Sequence, residues 1–206
     1  MNDQPDTTTD VEEETPSPLD EYGAGLAERL GGRAVVEFDT VRVYVGRENW
    51  VETLRRARDD EGLTFFSWLA GIDWSKDVEV GDTVAEPDEL EERFEVMCRL
   101  SSMENADGAQ FITTLPKDEA VIDSITELFG GAEWHERETH DMFGIEFTGN
   151  PNLSPIYLPE GFHGHPLLKS YPLIAREVKP WPGDVDVEDM PPEPEEVSPS
   201  AEGSDA

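Results

Sequence analysis

The distribution of charge divides this chain into a region that can fold and two ends that cannot. Residues 1–21 carry eight acidic side chains and no basic one, and residues 184–206 carry nine acidic side chains and no basic one. Both ends are rich in Pro, Ser, Glu and Asp, so they offer too little apolar surface to offset the entropy lost on ordering. We therefore predict disordered acidic tails at 1–18 and 184–206, with a folded region between them.

The composition also excludes several classes of function. A net charge of −33 repels the phosphates of nucleic acids and of anionic lipids. No apolar run approaches the roughly 18–20 residues of a membrane-spanning helix, and the N-terminus lacks the basic and apolar regions of a signal peptide. The single cysteine, Cys98, permits neither an internal disulfide nor the thiolate ligands of an iron–sulfur cluster. These features predict a cytoplasmic protein that depends on partners for any redox role.

The apolar pattern between the tails alternates between helical and strand-like spacing. Helical spacing predicts helices over 19–30, closed by two glycines, and over 47–60. Alternating apolar residues predict strands over 33–39, 41–45, 64–74, 93–101 and 110–115. Cys98 shares its strand face with apolar neighbours, so it is predicted to be a buried, inert thiol. The order of elements predicts an α+β fold, a two-layer domain over 19–141 with helices on one face of a mixed sheet.

Two more helices are predicted before the chain changes character. Apolar residues at helical spacing indicate a helix over 118–129, and a charged helix follows over 133–143. In the charged helix, Glu133 and Asp141 each lie four residues from Arg137, which predicts ion pairs on an exposed face. His135 and His140 are five residues apart and therefore point to different sides of that helix, so the sequence predicts no zinc site there.

Residues 142–183 combine many Pro and Gly residues with scattered large apolar side chains. Loops of this length are uncommon inside a compact domain, yet the apolar content is too high for a linker. We predict an extended arm that buries its apolar side chains against another protein, with the domain before it able to fold alone.

A specific motif lies in this part of the chain. It comprises Glu136-Arg137-Glu138, Asp141, Phe143-Gly144, Pro151, Gly164-His165-Pro166, Lys169 and Tyr171-Pro172. The motif resembles the signature of the 30 kDa (C-type) subunit of proton-pumping NADH:quinone oxidoreductase, respiratory complex I. The segment 178–183 is similar to actinobacterial members of that family. The chain departs from the family pattern at Asn150, where the family usually has His, and at Ser154, Leu168 and Ser170.

The resemblance implies a cofactor-free subunit of the peripheral arm, at the cytoplasmic face of the cell membrane. NADH, FMN, the iron–sulfur clusters and quinone would be bound by other subunits, and the chain would hold the quinone-reducing module together. The implied partners are the D-type, B-type and I-type subunits of that module. In this interpretation the motif residues fix the charged helix and contact partners, and none is catalytic.

Two alternatives differ in class. The chain could be the equivalent subunit of a related membrane hydrogenase or of a coenzyme F420-type dehydrogenase, which would share the motif and differ in electron donor. It could also be a stand-alone zinc hydrolase, which a metal assay on the purified chain would test. For the isolated protein, we expect no bound flavin or iron and no oxidation of NADH.

Overall fold

The structure, a computed structural model, describes residues 17–76, 78 and 89–172. The predictions of disordered tails therefore lie outside the described residues, except for Ser17 and Pro18. The helices are α1 (Pro18–Leu30), α2 (Trp50–Asp59) and α3 (Ala132–Phe143). The strands are β1 (Arg33–Glu37), β2 (Thr40–Tyr44), β3 (Phe65–Trp74), β4 (Arg93–Ser101), β5 (Gly108–Pro116), β6 (Val121–Asp123) and β7 (Glu146–Thr148).

The first helix begins and ends where its sequence provides caps. The Ser17 hydroxyl accepts a hydrogen bond from the Asp20 backbone N–H, and the Asp20 carboxylate accepts one from the Ser17 N–H. This capping box satisfies N–H groups that the first helical turn leaves unpaired. At the other end, Gly31 adopts the left-handed conformation and stops the helix. The helix predicted over 19–30, with its glycine stop, is therefore confirmed.

Five strands form one mixed sheet in the order β1-β2-β5-β4-β3. Only the β2–β5 pair within it is parallel, and the other neighbours are antiparallel. The register places Val43 beside Phe111 and Phe111 beside Cys98, so these side chains share one face and are fully buried. All three helices pack on that face. The predicted two-layer α+β domain is confirmed, and Cys98 lies buried in its core.

The approach of α3 to the sheet depends on one glycine. A Cβ placed on Gly71 in β3 would lie 3.1 Å from side-chain atoms of both Thr139 and Phe143 on α3. Such a contact is tighter than ordinary van der Waals packing allows. Glycine at this point therefore lets the charged helix lie directly against the edge strand.

The helix predicted over 118–129 is wrong. Residues 121–123 form β6, which pairs in parallel with β7, and the following residues form turns that bury Ile125 and Phe129. The apolar spacing is compatible with a helix. In the structure, however, residues 121–123 pair with β7, and the side chains of Ile125 and Phe129 are buried without a helix. Val121 pairs with Glu146, which lies beyond α3 in the sequence, so a distant tertiary partner overrides the local pattern.

The chain does not leave the domain after α3, which differs from the prediction of an arm starting at residue 142. Ile145 and Phe147 are buried in the main core at 0% and 2% exposure. Glu146, which lies between them, pairs with Val121 of β6. The core thus extends to Phe147, because β7 supplies the only pairing that β6 has among the described strands. None of the helices in the described ranges is long and apolar enough to cross a membrane.

Candidate interaction site

The charged helix α3 carries two buried carboxylates that organise the loops around it. Glu136 is fully buried and accepts hydrogen bonds from the Ile125 backbone N–H (2.8 Å), the Ser124 hydroxyl (2.7 Å) and the Asn150 side-chain amide (2.7 Å). Burial raises the pKa of Glu136, and the three hydrogen bonds oppose that increase. The carboxylate therefore joins the turn after β6 to the turn after β7.

Asp141, near the end of α3, receives a different set of donors. One carboxylate oxygen accepts from the backbone N–H groups of Ile156 (2.9 Å), Tyr157 (2.9 Å) and Leu158 (3.2 Å). Desolvation acts to raise the pKa of Asp141, but these backbone hydrogen bonds outweigh it and the pKa is lowered. The backbone from 156 to 158 thus curls around a single charged oxygen.

The predicted ion pairs of Arg137 with Glu133 and Asp141 are wrong, and neither forms among the described residues. The Arg137 guanidinium donates to the Ser154 carbonyl (2.9 Å), the Ser154 hydroxyl (3.2 Å) and the Pro155 carbonyl (3.0 Å). It also lies 5.2 Å from the centre of the Trp134 ring. The fixed carbonyls of the passing loop match the fork of the guanidinium, and backbone N–H groups already occupy Asp141.

Two glycines of the motif allow the loop to return over the end of α3. A Cβ on Gly144 would lie 2.8 Å from the His165 ring, and one on Gly164 would lie 2.9 Å from the Tyr171 ring. The His165 ring nitrogen Nδ1 lies 2.8 Å from the Asp141 carbonyl, and the Phe162 and Tyr171 rings stack at 6.2 Å. We call residues 149–172 the covering segment, because they return across α3 in this way.

A buried aspartate on the sheet holds the far end of the covering segment. Asp73 in β3 pairs with the Lys117 ammonium, and it accepts from the Ser75 hydroxyl (2.9 Å) and from the Lys169 backbone N–H (2.9 Å). Sequence reasoning missed Asp73. The alternation of β3 places it on the helix-facing side with Leu69 and Gly71, and an acid at an inward strand position is the signal that could have identified it.

The remaining motif residues divide between packing and exposure. Phe143 is partly buried against the core, Glu138 and Pro166 are partly buried, and Pro151, Lys169 and Pro172 are exposed. Three large apolar side chains of the covering segment remain exposed: Tyr157 at 63%, Phe162 at 41% and Leu167 at 53%. Most motif residues therefore fix the segment, and Tyr157, Phe162 and Leu167 supply its apolar surface.

The histidines near α3 bond mainly to backbone carbonyls. His135 Nδ1 lies 3.2 Å from the Leu69 carbonyl, and His140 Nδ1 lies 3.0 Å from the Ile145 carbonyl. A cavity of about 400 Å³ opens between the end of α3 and the loop around His163. Within residues 17–76, 78 and 89–172, no three His, Cys, Asp or Glu side chains are grouped to hold a metal ion.

Comparison with known proteins identifies relatives for most of the chain. The model of the family described as "Respiratory-chain NADH dehydrogenase, 30 Kd subunit" matches residues 43–177. The C-type subunit of the NADH-quinone oxidoreductase of Roseiflexus castenholzii is 38% identical over 167 residues, which cover 80% of this chain and 88% of that protein. The same subunit of Citrifermentans bemidjiense is 36% identical over 143 residues, or 69% of this chain and 81% of the relative.

A solved structure shows the same fold. It belongs to the membrane-bound sulfane sulfur reductase, an archaeal respiratory membrane complex, with a TM-score of 0.53 and 20% identity. The match covers 67% of this chain and 75% of the other. The family match covers residues 43–177, from the end of β2 through α3 and the covering segment, and it therefore establishes more than the fold. This chain belongs to the family described as the 30 Kd subunit of the respiratory-chain NADH dehydrogenase.

Proposed function

We propose that this chain is a cofactor-free, non-catalytic subunit of the peripheral arm of a proton-translocating NADH:quinone oxidoreductase. Its relatives carry the name of a subunit of that enzyme. The charged groups most like catalytic candidates, Glu136 and Asp141, are engaged by hydrogen-bond donors of the surrounding loops. The chain supports electron transfer from NADH to quinone by holding other subunits in place, while those subunits bind NADH, FMN, the clusters and quinone.

The observation that carries this proposal is the exposed apolar surface of the covering segment. Tyr157, Phe162 and Leu167 project from backbone that Asp141 and Asp73 fix through hydrogen bonds. Large apolar side chains on a fixed backbone lose little further entropy on binding, which favours a protein interface. Aromatic residues in such positions supply much of the binding energy in protein complexes.

We assign this surface to the quinone-reducing module. The partners are the D-type subunit, for which the covering segment is the main contact, together with the B-type and I-type subunits. The complex holds the chain at the cytoplasmic face of the cell membrane, through these partners. The acidity of the chain favours such indirect attachment, because anionic lipid would repel it.

The test replaces two exposed side chains of the covering segment. The double variant Tyr157→Ser and Leu167→Ser should lower co-purification with the D-type subunit from solubilised membranes at least tenfold, with a parallel loss of NADH:quinone activity. Leu19→Ser, at a site 37% exposed on α1, is the matched control and should assemble normally.

Thermal unfolding of each purified full-length variant should match the parent, because none of the three side chains belongs to the core. Normal assembly of the double variant would contradict the proposed docking surface. A purified parent chain that binds flavin or iron in stoichiometric amount, or oxidises NADH, would contradict the cofactor-free role.

A further inference from the structure

A second apolar surface lies at the opposite end of the main sheet from Asp73. The turn between β1 and β2 exposes Phe38 at 91%, and the turn between β4 and β5 exposes Met103 at 70%. These are the two most exposed large apolar side chains of the described residues. Val41 pairs with Ala109, directly beside both turns, so the two turns lie about two strand spacings, or roughly 10 Å, apart.

The backbone at Phe38 is unfavourable for the residues that occupy it. Phe38 and Asp39 have φ angles of 50° and 54°, which give a two-residue turn of the type that prefers Asn-Gly. An aromatic residue rarely adopts this left-handed conformation. Phe38 therefore combines an unfavourable backbone with nearly complete exposure, and neither property contributes to folding. Its presence at this position points to a role outside the isolated fold.

The charged side chains around Phe38 and Met103 are mainly acidic. Asp39 adjoins Phe38, and Glu104 and Asp107 belong to the second turn, all three exposed. Glu37 is also exposed and forms an ion pair with Arg42, and the partly buried Arg99 approaches Gly108 at the second turn, so four acids accompany two bases here. An apolar centre with an acidic rim complements a partner with an apolar pocket and a basic rim. The same rim repels nucleic acid, anionic lipid and a second copy of this acidic chain.

We propose that Phe38 and Met103 form a second docking surface, which inserts Phe38 into an apolar pocket bordered by Lys or Arg on another protein subunit. About eight residues of β3 separate this end of the sheet from Asp73, or roughly 25 Å, so the surface is distinct from the covering segment. The partner's identity as a subunit of the same complex rests on the proposed function above. The chemistry of the partner, an apolar pocket bordered by Lys or Arg, is inferred only from the residues of the two turns.

The first test exploits the unfavourable backbone. The double variant Phe38→Asn with Asp39→Gly installs the preferred turn sequence and should raise the midpoint of thermal unfolding of the full chain by about 2–5 °C. The same variant should weaken association with the partner by about tenfold or more, because it removes the anchor. If Phe38 instead stabilised the fold, the double variant would lower the midpoint of thermal unfolding. Unchanged association would overturn the proposal.

The second test identifies the partner in assembled membranes. The photo-reactive analogue p-benzoylphenylalanine replaces Phe38 in the full chain, and the control places it at exposed Asp118, beyond the far end of β5. Position 38 should cross-link to a Lys- or Arg-rich peptide of one other subunit. Addition of about 1 M NaCl before illumination should suppress this cross-link. Cross-linking to lipid, to nucleic acid or to a second copy, or no cross-link, would overturn the proposal.

These outcomes separate the inference from the proposed function. A chain that co-purifies with the complex through the covering segment but gives no cross-link at position 38 contradicts only the second surface. A chain that neither co-purifies with nor cross-links to any other protein contradicts both. A salt-sensitive cross-link to a subunit of an unrelated complex contradicts the proposed function alone.

Discussion

The helix–sheet layer and the covering segment are ordered by different forces. The layer, from Pro18 to Phe147, encloses a continuous apolar core that includes Trp50, Leu54 and Phe111, all fully buried. The covering segment contributes few apolar side chains to that core, with Leu153 and Leu168 only partly buried against it. Its position depends on polar contacts to Asp141, Arg137 and Asp73. The layer is stabilised by burial of apolar surface, whereas the covering segment is held by a few hydrogen bonds to charged groups.

This difference determines how each region should respond to mutation. The loss of a core side chain leaves a cavity and affects cooperative unfolding of the whole layer. The loss of one charged anchor should release a short stretch of backbone and leave the core intact. Variants that remove one kind of support at a time can test this contrast.

The largest effect is expected where a truncation crosses from one region into the other. Ending the chain after Phe143 removes Ile145 and Phe147 from the core and leaves β6 without its partner. Loss of each buried side chain costs about 2–5 kcal/mol, so the truncated protein should not fold cooperatively. This replaces the expectation from sequence that the domain before residue 142 folds alone.

The control for this truncation ends the chain after Pro151. It retains β7 and the amide of Asn150, which donates to Glu136, and it removes almost the entire covering segment. Circular dichroism during heating should show a cooperative transition for this form and none for the shorter one. Equal transitions in the two forms would show that β7 is not part of the core.

A smaller but still large effect is expected from Lys117→Met. The Asp73 side chain is 1% exposed, and this substitution removes its charged partner without greatly changing side-chain length. Stranding a buried carboxylate in this way should lower the free energy of unfolding by about 3 kcal/mol. Lys169→Met is the matched control, because Lys169 contacts Asp73 through its backbone N–H. Urea titration should show almost no change for the control.

The contrast between regions also separates what sequence could predict from what it could not. The helix from 19 to 30, the five long strands and the helix after residue 132 follow local patterns of apolar residues and caps, and each was predicted. The turns of 118–129 and strand β7 were not, because they depend on pairing between Val121 and Glu146 across a helix. Local periodicity contains no information about such a partner.

The roles of the charged motif residues were predicted only in outline. The family resemblance marks Glu136, Arg137 and Asp141 as important, but helical spacing predicts an exposed face on which Arg137 pairs with Glu133 and Asp141. The structure instead buries Glu136 and Asp141, because turns outside the helix supply backbone N–H groups to them. Such donors are present at nearly every residue, so no pattern of side chains identifies which ones will be used.

Asp141→Asn should affect the covering segment and spare the layer. An amide oxygen accepts weaker hydrogen bonds than a carboxylate, so the backbone N–H groups of Ile156, Tyr157 and Leu158 should lose about 1–2 kcal/mol of local protection. Amide hydrogen exchange should report this loss at these residues and little change at Phe111 in β5. Uniformly faster exchange in both regions would show that Asp141 supports the core as well.

The smallest expected effect is a pH dependence of opposite sign for the two buried acids of α3. Burial raises the pKa of Glu136 above the value near 4.3 of an unfolded glutamate. Between those two values the folded state holds a proton that the unfolded state has lost. The stability that Glu136 contributes is therefore fully present below about pH 4.3 and is lost as the pH rises through its folded pKa.

Asp141 should behave in the reverse way, because its folded pKa is lowered below the value near 3.9 of an unfolded aspartate. Its contribution is fully present above about pH 3.9 and is lost as the pH falls through its folded pKa. The free energy of unfolding of the parent, measured by urea titration relative to Glu136→Gln, should therefore fall as the pH rises above about 4.3. The protection of the Tyr157 amide in the parent, measured by hydrogen exchange relative to Asp141→Asn, should instead increase with pH, and the two proteins should converge only below about pH 3.9. If both differences change in the same direction with pH, the two acids do not experience the separate environments of core and covering segment.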